Sequence, residues 1–286
     1  MIAKKKLLGK WKSKMDNIKL YNTGCIKSPK DLRNYKISKS CIRIELPTSF
    51  QVPHGIIKNQ EQVGSCVAHS LSSLLETKDN IIQSTAWIYG YRPEPNYQGI
   101  GMCPIEALKT VKKVGYLTQE QLPGNYEMNK AKIYVSEKCD IPKIIKESPK
   151  ISTYAELHNI NEIKSAIYNS KQPVLVSIDV GNHCLELDEN YIAYIPKAPG
   201  GLHQVLCYGW NEKGLLIQNS WGENWGKNGC FILPYDYPIE ESWMIEFKKP
   251  EPIKPKEELI NKPNWFVLRK LIMIIIKLFK NKKGGK

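Results

Sequence analysis

The sequence has no Cys-x-x-Cys pair. Its eight cysteines, Cys25, Cys41, Cys66, Cys103, Cys139, Cys184, Cys207 and Cys230, are scattered, and none clusters with histidine at zinc-ligand spacing. A structural zinc site is therefore not expected, nor is any other metal or cofactor. Long apolar runs are also missing. The opening MIAKKKLLGKWKSKM is basic but lacks the apolar stretch of a secretory signal, so the expected setting is a reducing cytoplasm with free thiols. The run from Trp265 to Phe279 spans 15 residues, interrupted by Arg269, Lys270 and Lys277. That is short of the roughly 20 apolar residues of a spanning helix. What it does resemble is a narrow basic stripe on an apolar helix, suited to an anionic membrane surface or to docking on a partner.

Positive charge is in excess, with a formal net charge of +14, but it is confined to the ends. Residues 1–40 hold 12 Lys/Arg against two acids, and residues 251–286 hold 10 against three. Between 41 and 250 stand 20 basic and 23 acidic residues, a net of −3. A nucleic-acid-binding fold concentrates Lys/Arg on its folded surface, so nucleic acid is not the expected partner. The expected organisation is a basic N-terminal arm or short leader (1–44), a folded region (45–247), a Pro-rich charged linker (248–264) and a basic amphipathic tail (265–286).

Within the folded region the texture changes along the chain. CVAHSLSSLLETK puts Val67, Leu71, Leu74 and Leu75 at helical spacing, with Cys66 at the N-terminal end. PIEALKTVKKVG, residues 104–115, reads as a second helix with Pro104 at its first position, and residues 156–170 as a third. PVLVSIDV, HQVLCYGW, GLLIQNSW and GCFILPY then read as short strands. Helices first and strands later predict an α+β fold.

A cysteine attacks as thiolate, which a helix N-terminus or a neighbouring imidazole favours. Cys66 in NQEQVGSCVAHS has the first by position. Of five histidines, His203 follows a Gly-Gly turn at the head of a strand, and Asn219 ends the strand after it. A neutral amide there can hold an imidazole in one tautomer.

In these motifs and their order the chain resembles the papain-like cysteine peptidases. NQEQVGSCVAHS is similar to their nucleophile segment, HQVLCYGW to their histidine strand, and LIQNSWGENWGKNGCFIL to their Asn-Ser-Trp-Gly segment. Cys66 lies 137 residues before His203 and 153 before Asn219, close to the roughly 130–150 residues typical of that family. The resemblance implies a two-lobed fold, a helical lobe and an antiparallel β-barrel-like lobe with a cleft between them. It also implies a nucleophile in Cys66, a base in His203, an orienting amide in Asn219, an oxyanion donor in Gln60 and a shield in Trp221. Gly101, Met102 and Cys103 fall on a segment similar to one that lines a substrate subsite. The implied activity is peptide-bond hydrolysis through a thioester, without cofactor, on a polypeptide substrate. A non-catalytic or acyl-transfer module of the same fold, tethered in a virion or membrane assembly, is the alternative. Residues 1–44 are shorter than the long helical inhibitory segment many members carry. The Lys-, Ile- and Asn-rich composition suits an AT-rich bacterial or phage genome. His69, on the helix, is expected to pack there, His54 and His158 to lie at the surface, and His183–Cys184 to be a loop pair.

Overall fold

The computed structural model describes residues 23–31, 34, 45–92, 101–124, 131–181 and 185–248. The linker beyond residue 248, the basic tail 265–286, Cys41 and the His183–Cys184 pair lie outside the described residues.

Helix α1 (Cys66–Glu76) starts at the nucleophile candidate. Its apolar spacing suggests an amphipathic helix, yet all eleven residues are buried. The serines on its polar side escape the cost of unpaired burial through main-chain partners: Ser70 Oγ donates to Gln204 O (2.8 Å) and Ser72 Oγ to His69 O (3.0 Å). Further in, Lys58 donates to Glu76 and to Ser72 Oγ, fixing the segment before the nucleophile against the helix. Short α2 (Thr85–Gly90) is capped by Ser84, whose hydroxyl accepts from Trp87 N. Helix α3 (Pro104–Lys113) begins with Pro104 at its first turn, where a missing N–H costs nothing. Helices α4 (Ala131–Lys138) and α5 (Ile141–Glu147) follow. The third expected helix is α6 (Ile160–Ser170); the residues before it instead finish a strand, and the Asn159 cap sets the boundary by accepting from Glu162 N at 3.0 Å.

The strands are β1 (Phe50–Gln51), β2 (Ile151–Leu157), β3 (Val174–Asp179), β4 (Leu202–Asn211), β5 (Gly214–Gln218), β6 (Cys230–Leu233) and β7 (Ile239–Phe247). They form one antiparallel sheet in the order β2-β7-β3-β4-β5-β6, with β1 added on β4. Alternate residues point to opposite faces, and both faces are covered. Leu175, Leu206 and Trp243 pack with Leu71, Leu74, Trp87 and Met102 in the helical core. Val176, Val205 and Cys207 pack with Ile163 and Ile167 of α6 and with Trp210, Leu215 and Phe231 in a second core. Each fully buried side chain of this kind contributes about 1.5–3 kcal/mol. The sheet is the wall shared by the two cores. On this wall α1 meets the start of the interior strand β4, where Ser70 bonds to Gln204.

Candidate active site

Cys66 is the first residue of α1, where main-chain N–H groups have no partner within the helix. Hydrogen bonding from the main chain of Gln204, Gly24, Val67 and Cys66 itself lowers the thiol pKa. Burial outweighs it and pushes the thiol up to about 11. His203 is buried too, on β4, and desolvation lowers its imidazole to about 4 against the opposing hydrogen bond to Asn219. Both groups are neutral at pH 7 in this state.

The imidazole tautomer follows from the neighbours. Asn219 Oδ1 accepts from Ser220 N at 2.8 Å, which fixes that atom as the oxygen. His203 Nε2 lies 2.7 Å from the same oxygen and must carry the hydrogen. In a neutral ring Nδ1 is then the acceptor, and it has no hydrogen-bond partner among the described residues. The lone pair needed by a base is thus kept open. Trp221 stacks on the ring at 4.7 Å between centroids, and Trp225 packs edge-on against Trp221 at 5.0 Å, so the His203–Asn219 bond is screened from water.

Glycine makes the loop that carries these residues possible. Gly222 has φ +83°, a conformation costly for a residue with a Cβ, and its N–H donates to Lys58 O at 2.9 Å. That bond joins the loop to the chain before Gln60. Ser220 completes the link: its hydroxyl donates to Gln60 Oε1 (2.6 Å) and its carbonyl accepts from Gln60 N (2.8 Å). With Oε1 so held, Nε2 is the donor end of the amide, and it donates to Val63 O at 2.8 Å. The structure therefore brings together His203, Asn219, Gln60 and Trp221, and places Cys66 against the main chain of Gln204, the residue after His203. Ser220, the pin between Gln60 and Asn219, stands inside the motif but has no reactive role that a sequence would flag.

The cleft is not open. The uncharged stretch Thr23–Ile26, read from composition as part of a solvated arm, crosses it as an extended strap. Met102 N donates to Gly24 O (2.7 Å), Ile26 N to Met102 O (3.0 Å) and Cys25 N to Leu202 O (3.2 Å). The bridge between Cys25 and Met102 is parallel. A Cβ on Gly24 would come within 1.9 Å of Gly64 O, so glycine alone lets the strap lie this close to the nucleophile segment. Of the expected substrate-binding residues, Met102 thus has both main-chain groups engaged by the strap. Gly101 (φ +123°) turns the chain beneath it, and Cys103 Sγ reaches Ser28 Oγ at 3.5 Å. Charge counts over 40 residues conceal such a segment because its few uncharged residues are outvoted.

Among the described residues the remaining histidines stand apart from this site or serve packing. His69 is buried in α1, its Nδ1 near Ser65 O (3.0 Å) and Ser65 Oγ (3.1 Å), while His54 and His158 are exposed. Among the described residues no three His, Cys, Asp or Glu side chains gather as a metal site, and no helix is long and apolar enough to cross a membrane.

A family model described as papain family cysteine protease matches residues 49–242. Mexicain from Jacaratia mexicana is 26% identical over 178 residues, covering 60% of this chain and 79% of mexicain. An uncharacterized peptidase C1-like protein of Acanthamoeba polyphaga mimivirus is 43% identical over 49 residues, a match that spans 16% of either protein. Among solved structures, xylellain, a cysteine protease from Xylella fastidiosa, shares the fold with a TM-score of 0.68 at 22% identity, over 81% of this chain and 98% of xylellain.

Proposed function

The chain belongs to the papain family of cysteine proteases, and from that premise we propose that it is a peptidase whose cleft is held closed by its own N-terminal segment. The observation that carries the catalytic part is the Ser220–Asn219–His203 chain of hydrogen bonds, which leaves His203 Nδ1 as a lone pair. In the proposed reaction Cys66 Sγ attacks the scissile carbonyl carbon while its proton passes to Nδ1. The displaced electron pair gathers on the carbonyl oxygen, where the Cys66 N–H and Gln60 Nε2 meet it; such donors aimed at developing charge are worth on the order of 100-fold each. Collapse breaks the C–N bond, the leaving amine takes the proton from Nδ1, and a thioester remains. Water, giving a proton to the same nitrogen, then adds to the thioester, and the thiol leaves with that proton as the acid product forms. His203 is base and then acid in each half of the reaction.

The closed part rests on the strap. It engages the main chain of Met102 and Leu202, groups an extended substrate would need, and it buries the thiol. Its departure rehydrates Cys66 and so removes the largest cause of the raised pKa. Residues 1–44 then act as a leader, with 23–31 as its inhibitory element. On composition, residues 265–286 are assigned to an anionic membrane surface or an assembly partner.

A Gly24→Val chain, its strap displaced, is expected to cleave a mixture of unstructured peptides, and the same chain carrying Cys66→Ala is expected to cleave none. Equal cleavage by both overturns the reading.

A further inference from the structure

At its far end the sheet departs from the rule that a water-facing side is polar. Leu216 on β5 stands opposite Ile232 on β6, and Gln218 opposite Cys230. Directly paired residues share a face, as do residues two apart along a strand. It is the face on which Leu206, paired with Gln218, enters the helical core. Beyond Leu206 the burial falls off: Leu216, Cys230 and Ile232 are half-buried, and neither core takes in Leu216 or Ile232. The solvated side of an antiparallel sheet is ordinarily polar. Here it is the floor of a concavity of about 810 Å³ whose lining includes neither Cys66 nor His203. Tyr191 stands at one wall, 40% exposed. Its φ of +62° lies in the left-handed region, which is costly for a bulky side chain. Three hydrogen bonds hold it there: Asp188 Oδ1 accepts from Asn190 N and from Ile192 N, each at 2.8 Å, and Tyr191 O accepts from Ile232 N at 2.9 Å.

Apolar surface left to water marks an interaction site, and backbone strain persists where the surroundings hold a residue for a use. Charge says what kind of partner fits. Lys213, just before β5, and Lys227, bridged to Cys230 at the other end of the β5–β6 ribbon, both line the concavity. Neither ammonium has an ion-pair partner among the described residues. Glu189 is the one carboxylate among the described lining residues, so the rim is net positive although residues 41–250 together carry −3. The lysines stand level with Gly214 and Gln218, four residues apart along β5, which is roughly 14 Å at about 3.4 Å per residue.

We propose that this face docks an extended segment of the polypeptide substrate in which the residues run acidic, any, apolar, any, acidic. In an extended chain the first, third and fifth of these point to one side and span the same distance. The apolar side chain covers Leu216 and Ile232 beside Tyr191, and the two carboxylates meet Lys213 and Lys227. That the segment belongs to a substrate rests on the peptidase reading above; the docking chemistry stands apart from it.

The first arm of the test is fluorescence anisotropy on the full chain carrying Cys66→Ala, at about 0.15 M salt to screen the basic ends. The probe is a labelled Gly-Ser-Glu-Gly-Phe-Gly-Glu-Gly-Ser peptide. It is compared with peptides in which both acids are glutamine, the two acids are adjacent, or the phenylalanine is serine. Binding is expected to weaken about fivefold for the first two and about tenfold or more for the third. With Lys213→Glu and Lys227→Glu the preference is expected to reverse, toward a peptide with lysine in place of both acids. Neither a misfolded chain nor attraction to the basic ends gives that reversal. The second arm appends the same segment to a fluorogenic peptide and reads kcat/KM on the Gly24→Val chain. A gain of about fivefold, carried by KM and lost with the two lysine substitutions, is expected. Equal binding of all the peptides, or no gain from the appended segment, overturns this inference and leaves the peptidase reading standing. If the segment binds as expected but no chain with native Cys66 cleaves any peptide, the peptidase reading falls and the assignment to a substrate with it.

Discussion

At the residue scale the chemistry turns on which atom of each amide faces which neighbour. Ser220 decides it twice, giving its N–H to Asn219 Oδ1 and its hydroxyl to Gln60 Oε1. The first bond fixes the His203 tautomer; the second fixes which end of the Gln60 amide carries the hydrogens that the proposed oxyanion contact needs. Replacing Ser220 with alanine keeps the main-chain bond and removes the hydroxyl, freeing the Gln60 amide to rotate. Steady-state kinetics on the Ser220→Ala chain are expected to give a kcat reduced by roughly tenfold, within the loss an impaired oxyanion donor causes, with KM little changed. An unchanged kcat would remove Gln60 from the oxyanion site. The residues proposed to react were legible in the sequence because their types and order are chemically constrained. Ser220 was not, because its work lies in directing the hydrogens of others, which only geometry reveals.

At the scale of elements, α1 is the central piece. Its existence and start were legible from the spacing of Val67, Leu71, Leu74 and Leu75, but its complete burial was not. Ser70, Ser72 and Glu76 look like a solvated face until their partners on β4 and in the preceding segment are seen. Strands β2 and β7 were missed for a related reason. Their burial does not alternate: β2, at the end of the strand order, is mostly half-buried, and β7 buries Glu241, Ser242 and Trp243 in succession, which erases the pattern of a half-exposed strand. One consequence of α1 burial can be measured. Burial lowers His69 to about 4, as it does His203, while both sit near 6.5 in the unfolded chain. Above about pH 6.5 each is neutral in both states and the fold keeps its full stability. As pH falls from there toward 4 the unfolded chain binds protons that the folded chain refuses, so stability drops, and below about 4 the loss levels off. Thermal unfolding across this window is expected to show a falling Tm, and His69→Gln is expected to flatten part of the slope. Parallel curves for the two proteins would mean that His69 titrates normally.

At the scale of the whole molecule, the described residues form a papain-family fold in which Cys66 and His203 are buried and a strap from the chain's own N-terminal region lies against Gly64, Met102 and Leu202; on the proposed reading that strap keeps solvent and substrate from the reacting groups. The α+β class was legible through local pattern and motif order, as were the residues proposed for the site. The strap escaped notice because its grip is main-chain hydrogen bonding to Met102 and Leu202, which carries almost no side-chain signature beyond Gly24. The most direct measurement is the rate at which a thiol-directed epoxide labels the full chain and the Gly24→Val chain, with the adduct mapped by mass spectrometry. The expected result is labelling of Cys66 ahead of the other seven cysteines, faster by about tenfold or more when the strap is displaced, since each tenfold corresponds to about 1.4 kcal/mol of lost strap binding. Labelling that favours another cysteine, or a Cys66 rate unchanged by Gly24→Val, would contradict the account.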